Sequence, residues 1–158
     1  MKTVDDIKKD MVQAMKDKNE TAKSTLRMLL ATLENEKVQQ KLKHVSELSS
    51  DQVITCINRN IKQIDQEMEH LKNADRDTSN QEQQQFILRS YLPKQLTEAE
   101  LEDRVSQIVK MTYHAGGNIG LAMKEITAKL RGQADMKKAS EIARQCFAGY
   151  QMRESLKK

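Results

Sequence analysis

The sequence predicts an all-α protein: an N-terminal helical bundle of about four helices (1–92) followed by a small C-terminal three-helix unit (93–158). Three observations predict it. Apolar residues recur three and four positions apart in segment after segment, the spacing of one face of a helix. Glycine and proline number only five and one in 158 residues, and aromatics, which favour strands, make up 3%. The lone proline, Pro93, lacks a backbone N–H and pushes Leu92 out of the α region, so a helix ends near Leu92. Just beyond, Thr97 and Glu100 spell a T-x-x-E capping box, with Leu96 and Leu101 placed as its hydrophobic staple. A stop and a start this close make Tyr91, Leu92, Pro93, Thr97 and Glu100 a structural junction between two helical units.

The first helix starts at Thr3, a good N-cap followed by Asp5 and Asp6, and turns Val4, Ile7, Met11, Ala14 and Met15 to one side as far as about Lys16. After the polar link Lys16–Glu20, a second helix faces Ala22, Leu26, Leu29, Leu30 and Leu33 inward and fades into Gln39–Ser46. Ser50 or Asp51 starts the third and longest helix, whose Ile54, Ile57, Ile61, Ile64, Met68 and Leu71 form a heptad-like seam. Asn73–Asn80 reads as a turn. A fourth helix, about Gln81 to Leu92, carries Phe86, Ile87, Leu88 and Tyr91 into the junction. Beyond the capping box, Leu101, Val105, Ile108, Val109 and Thr112 line a fifth helix, ended by His114-Ala-Gly-Gly117. Asn118 caps a sixth, with Ile119, Met123, Ile126 and Leu130 inward and Gly132 just past its end. Asp135 caps a seventh through Ala139, Ile142, Ala143 and Cys146, and Gln151–Lys158 is expected to fray.

No apolar run approaches the ~20 residues of a membrane span, and Met1-Lys2-Thr3 leads into two acids without an apolar signal core. A soluble, cytoplasmic, monomeric protein is expected. Cys56 and Cys146 stand apart among apolar helix positions and read as reduced core residues. His44, His70 and His114 have no second ligand at helical spacing, so no metal and no cofactor is expected. No nucleophile–base pair and no phosphate loop is visible, so no catalytic residue is assigned. Gly116-Gly117-x-x-Gly120 lacks a preceding strand and reads as a helix-to-helix turn.

The net charge of +4 is uneven. Residues 1–92 hold 15 bases and 15 acids, whereas residues 93–158 hold 12 and 8. Five bases, Lys124, Lys129, Arg131, Lys137 and Lys138, meet two acids, Glu125 and Asp135, around Gly132. Clustered bases beside a helix N-terminus form a footprint for nucleic-acid phosphates, or else a solvated basic edge. With so few aromatics, RNA would be held by shape and backbone, without a platform for splayed bases.

Leu26-Arg27-Met28-Leu29, Tyr91-Leu92-Pro93-Lys94-Gln95-Leu96, and Gly120 with Lys129-Leu130-Arg131-Gly132-Gln133-Ala134-Asp135 together resemble the GatB/YqeY domain family over residues 1–147. The resemblance implies a YqeY-like protein related to the tail domain of the B subunit of the glutamine-dependent aspartyl/glutamyl-tRNA amidotransferase. It implies tRNA as partner, and association with an aminoacyl-tRNA amidotransferase or synthetase complex. The family's activity class is carbon–nitrogen ligation with glutamine as amido-N-donor. The tail is an RNA-contacting appendage, so this chain on its own is expected to bind tRNA or serve as an accessory module without catalysing the ligation. The alternative is a helical interaction adaptor that docks another subunit through its long third helix. Gln133 and Met136 depart from the basic residue and glycine common in relatives, which weakens phosphate contacts at the turn. Residues 148–158 run past the usual end.

Overall fold

In the computed structural model, which describes residues 2–157, the chain forms seven α-helices and one 3-10 turn, with no strand among the described residues. They are α1 (Val4–Lys16), α2 (Glu20–Gln39), α3 (Ser50–Asn73), α4 (Ser79–Arg89), α5 (Glu98–His114), α6 (Ile119–Leu130) and α7 (Met136–Leu156), with the 3-10 turn at Val45–Glu47. Six begin where a side chain accepts from an otherwise orphan backbone N–H: Thr3, Asn19, Ser49, Thr97, Asn118 and Asp135. Thr3, Ser49 and Thr97 close full capping boxes with Asp6, Gln52 and Glu100. Packing divides the chain into two compact units between Pro93 and Lys94.

In the N-terminal unit, α2 packs against α1, α3 and α4. Ile7, Leu29, Leu33, Ile57, Ile64 and Leu88 are fully buried at its centre. Truncating any of them to alanine would cost about 2–5 kcal/mol, since interiors this dense collapse only partly around a cavity. Two polar contacts fix how α2 lies on α3. Asn60 Nδ2 donates to Thr32 Oγ1 at 2.9 Å, and Arg59 Nη1 donates to the buried Glu36 carboxylate at 2.8 Å. Hydrogen bonds from Gln40 and Arg59 hold that carboxyl below its usual range. Tyr91 ties the end of the unit to its beginning: its hydroxyl donates to Asp10 Oδ2 at 2.6 Å, and Lys2 Nζ reaches the same oxygen at 2.9 Å. Cys56 is buried and Cys146 half-buried, both reduced, with burial pushing the Cys56 thiol up.

The C-terminal unit is a three-helix bundle. Contacts between Glu98 and Lys138, Ser106 and Cys146, and Tyr113 and Tyr150 keep a nearly constant sequence offset, so α5 and α7 run parallel, with α6 returning between their ends. Leu101, Val105, Val109, Ala122, Ile126, Leu130, Ala139 and Ala143 fill the centre. Leu96 packs on the same core as Leu101, as a staple requires. Gly116, at φ +78, makes the left-handed turn after α5.

Several details differ from the periodicity-based reading. Ser49, one residue before the expected start, caps α3. Helix α4 stops at Arg89 rather than near Leu92, because Tyr91 and Leu92 donate to carbonyls three residues back and tighten the chain ahead of Pro93. Met15 is 50% exposed: Val4, Ile7 and Ala14 complete the narrow buried stripe, and Met15 falls on its flank. Phe86 is 77% exposed, since it lies two residues, roughly 200° of helix rotation, from the buried Leu88. The expected fraying after Gln151 is overturned, as α7 stays helical to Leu156, where Tyr150, Arg153 and Glu154 all find partners.

Candidate functional site

Within the C-terminal unit, Gln95 and Leu96 just after the junction meet the turn of the Lys129–Asp135 stretch. Gln95 Nε2 donates to the Gly132 carbonyl at 2.6 Å, and Leu96 N donates to the Gln133 carbonyl at 2.8 Å. The pairing is closed by Gln133 N, which donates to Leu130 O at 3.0 Å. The turn between α6 and α7 is therefore held by hydrogen bonds on both sides. Gly132 is buried at φ +77, a conformation that costs an L side chain roughly 1–2 kcal/mol, which is why glycine stands there. Asp135 Oδ1 accepts from Lys137 N at 2.8 Å and starts α7.

On this frame the candidate bases take different positions. Lys129 is in the last turn of α6, Arg131 is its C-cap, and Lys137 and Lys138 lie in the first turn of α7. The five-residue link 131–135 thus keeps these four at one end of the unit. Lys124 does not join them. It stands five residues before Lys129, roughly 7.5 Å along α6 and about 140° around it.

Lys138 and Lys129 each face a carboxylate. Lys138 Nζ sits 2.8 Å from Glu98 at the start of α5, which raises the lysine's pKa and lowers the carboxyl's. Lys129 is 3.5 Å from Glu125. Both pairs are solvent-exposed, where ion pairs are weak and a phosphate can exchange for a carboxylate. Among the described residues no carboxylate pairs with Lys124 or Lys137. Lys94, which sequence reasoning passed over, is exposed, precedes the Gln95 anchor, and acts electrostatically on Glu100. Its signal was present in the sequence as a base beside the lone proline. Gln95 and Leu96 carried no such signal, because their role depends on a turn some 37 residues away.

A second cluster lies at the opposite end of the same unit. Three of the chain's five aromatic residues, Tyr113, Phe147 and Tyr150, gather there. Tyr113 and Tyr150 stack at 5.3 Å and 21°, His114 meets both edge-on at about 6 Å, and the Arg153 guanidinium lies 5.8 Å above Tyr150. Scarce aromatics are thus gathered in one place rather than dispersed.

Elsewhere, the long-helix seam is consumed internally as far as Ile64, while Met68 and Leu71 at its end are half-buried. Ile54, Ile57, Ile61 and Ile64 are all buried within the N-terminal unit, and α3 shows solvent mainly Asn58, Arg59, Lys62, Gln63, Asp65, Gln66 and Glu69. Two shallow surface clefts, one lined by Gln63, Gln66, Glu67, His70 and Arg76 and one by Lys8, Lys9, Val12, Gln13 and Lys16, lack convergent chemistry. Among the described residues no cluster of three His, Cys, Asp or Glu side chains could hold a metal. No helix among them is long and apolar enough to cross a membrane.

Comparison with curated proteins returns no match. Residues 4–147 match the family described as Yqey-like protein, a match that spans both units and includes Gln95, Leu96 and the Gly132 turn, and the chain belongs to that family.

Proposed function

We propose that this protein is a non-catalytic accessory module that binds tRNA through the basic end of its C-terminal unit. The observation that carries the reading is the docking of Gln95–Leu96 onto Gly132–Gln133. It fixes a turn on which Lys129, Arg131, Lys137 and Lys138 are presented together. Lys137 and Lys138 oppose the dipole of the helix whose first turn they occupy, an arrangement tolerated more readily where an anion is the partner. Lys138 faces the exposed Glu98 carboxylate, a weak partner that an arriving phosphate can replace. Lys124 contributes from the flank.

The resemblance to the tail of the amidotransferase B subunit supports tRNA as the RNA class, with an aminoacyl-tRNA amidotransferase or synthetase complex as the setting in the cytoplasm. In this reading glutamine-dependent carbon–nitrogen ligation belongs to the parent enzyme. The isolated chain, given glutamine, ATP and misacylated tRNA, makes no amidated product; sustained turnover would overturn that part. Docking another subunit through the α3 seam has less support, because Ile54, Ile57, Ile61 and Ile64 are spent on the unit's own core.

The test is Lys129→Gln, Arg131→Gln, Lys137→Gln and Lys138→Gln combined. Helix content should stay as in the parent. Binding of tRNA should weaken and its salt dependence flatten, by roughly 0.9 in log–log slope for each duplex phosphate that is no longer neutralised. Unchanged affinity and slope would remove this end of the molecule as the RNA site.

A further inference from the structure

The ring cluster at the far end of the C-terminal unit has no role in a purely phosphate-based interaction. It is graded from inside to outside. Phe147 anchors it in the core at 8% exposure, Tyr113 and Tyr150 are half-buried, and His114 and Arg153 are exposed. The inner rings satisfy one another: Tyr113 stacks on Tyr150, packs edge-on against Phe147, and its hydroxyl bonds to Glu154. Nothing among the described residues stacks face to face on His114. The exposed members are one imidazole and one guanidinium, both flat groups with N–H donors, and both meet Tyr150: His114 edge-on at 5.9 Å and Arg153 5.8 Å from the ring centroid.

Exposed flat groups gathered around one tyrosine are what an unpaired nucleobase stacks on, and the guanidinium can also reach a flanking phosphate. The placement fits a single RNA. Tyr150 is twelve residues beyond Lys138 on the same helix, roughly 18 Å at 1.5 Å per residue. A few nucleotides of one RNA strand cover that distance.

We infer that His114 and Arg153, gathered around Tyr150, form a stacking site for an unpaired nucleobase of the RNA whose phosphates meet the basic end of α6 and α7. The inference rests on the proposed RNA-binding role and extends it to a second subsite with a different chemistry. The N-terminal unit plays no part in it.

The experiment uses the full chain and two probes: a short single-stranded RNA carrying 2-aminopurine, and a blunt RNA duplex of equal charge. With the wild type, 2-aminopurine fluorescence should quench on binding. His114→Ala combined with Arg153→Ala should abolish the quench and weaken the single strand about tenfold, while duplex affinity stays within twofold. His114→Ala combined with Arg153→Lys, which keeps the positive charge and removes the plane, should restore little of the quench. Absence of quenching in the wild type, or quenching unchanged in the double alanine variant, would overturn the stacking site. Equal weakening of single strand and duplex would also overturn it, in favour of a diffuse charge effect. The quadruple glutamine variant separates the two readings. If it leaves duplex binding intact, the phosphate site is wrong. If it weakens the duplex while the His114/Arg153 variant changes nothing, only the stacking site is wrong.

Discussion

Removing the Tyr91 hydroxyl should loosen the N-terminal unit by a predictable amount. In Tyr91→Phe the ring remains, so its burial and the Lys2 ammonium 4.9 Å from its centroid are kept. The variant gives up one 2.6 Å bond to the Asp10 carboxylate. A hydrogen bond to a charged group contributes about 1.5–3 kcal/mol. The Asp10 side chain is 37% exposed and retains Lys2 and water, so a discounted value of about 1 kcal/mol applies. For a unit of this size that lowers Tm by roughly 4–8 °C. The measurement is a double-mutant cycle with Asp10→Ala, read by thermal and urea unfolding of the full chain followed by circular dichroism. The coupling between the two positions should come out near 1 kcal/mol; additivity within about 0.3 kcal/mol would mean that the bond does not clamp α1 to the junction. The pH dependence provides a second check. The Tyr91 hydroxyl foremost, and then Lys2, hold the Asp10 carboxyl below its ordinary value of 3.8. A carboxyl lowered by folding contributes stability that is fully present above 3.8 and is lost as the pH falls through its folded-state value. The coupling measured at neutral pH should therefore vanish in strong acid.

Thr97→Ala should destabilise the C-terminal unit by about 1 kcal/mol, because Thr97 Oγ1 accepts from Glu100 N and Glu100 Oε2 accepts from Thr97 N; Thr97→Ser should be nearly neutral, and identical melting curves for wild type and Thr97→Ala would show that the box does not hold the start of α5. Two glycine substitutions should move stability in opposite directions. At Gly117 an added methyl would come within 2.7 Å of Thr112 Cγ2 and 3.1 Å of its carbonyl oxygen, so Gly117→Ala should lower Tm. At Gly149, inside α7 with open space around it, Gly149→Ala should stabilise by roughly 0.5–1 kcal/mol; a lower Tm there would indicate that the end of α7 is less helical than described.

The parts of this protein that were legible in its sequence are those decided within a turn or two of chain. Thr3, Asn118, Thr97 and Asp135 announce helix starts because the N–H groups they satisfy are two or three residues away. The all-helical class follows from periodicity, which needs no knowledge of partners. Periodicity was less informative about which flank of a stripe is covered, because Met15 and Phe86 sit at edges where only the packed neighbours decide. Nor could composition report that three of five aromatics converge, since Tyr113 and Tyr150 are brought together by the parallel alignment of α5 and α7. The candidate site divides the same way. Its bases could be read directly as a cluster around Gly132. The hydrogen bonds from Gln95 and Leu96 that hold that turn, and the contact of Glu98 with Lys138, join residues about 40 positions apart. Local chemistry writes helix ends and apolar faces into the sequence, whereas contacts across the bundle exist only once burial of the core has fixed which helices lie side by side.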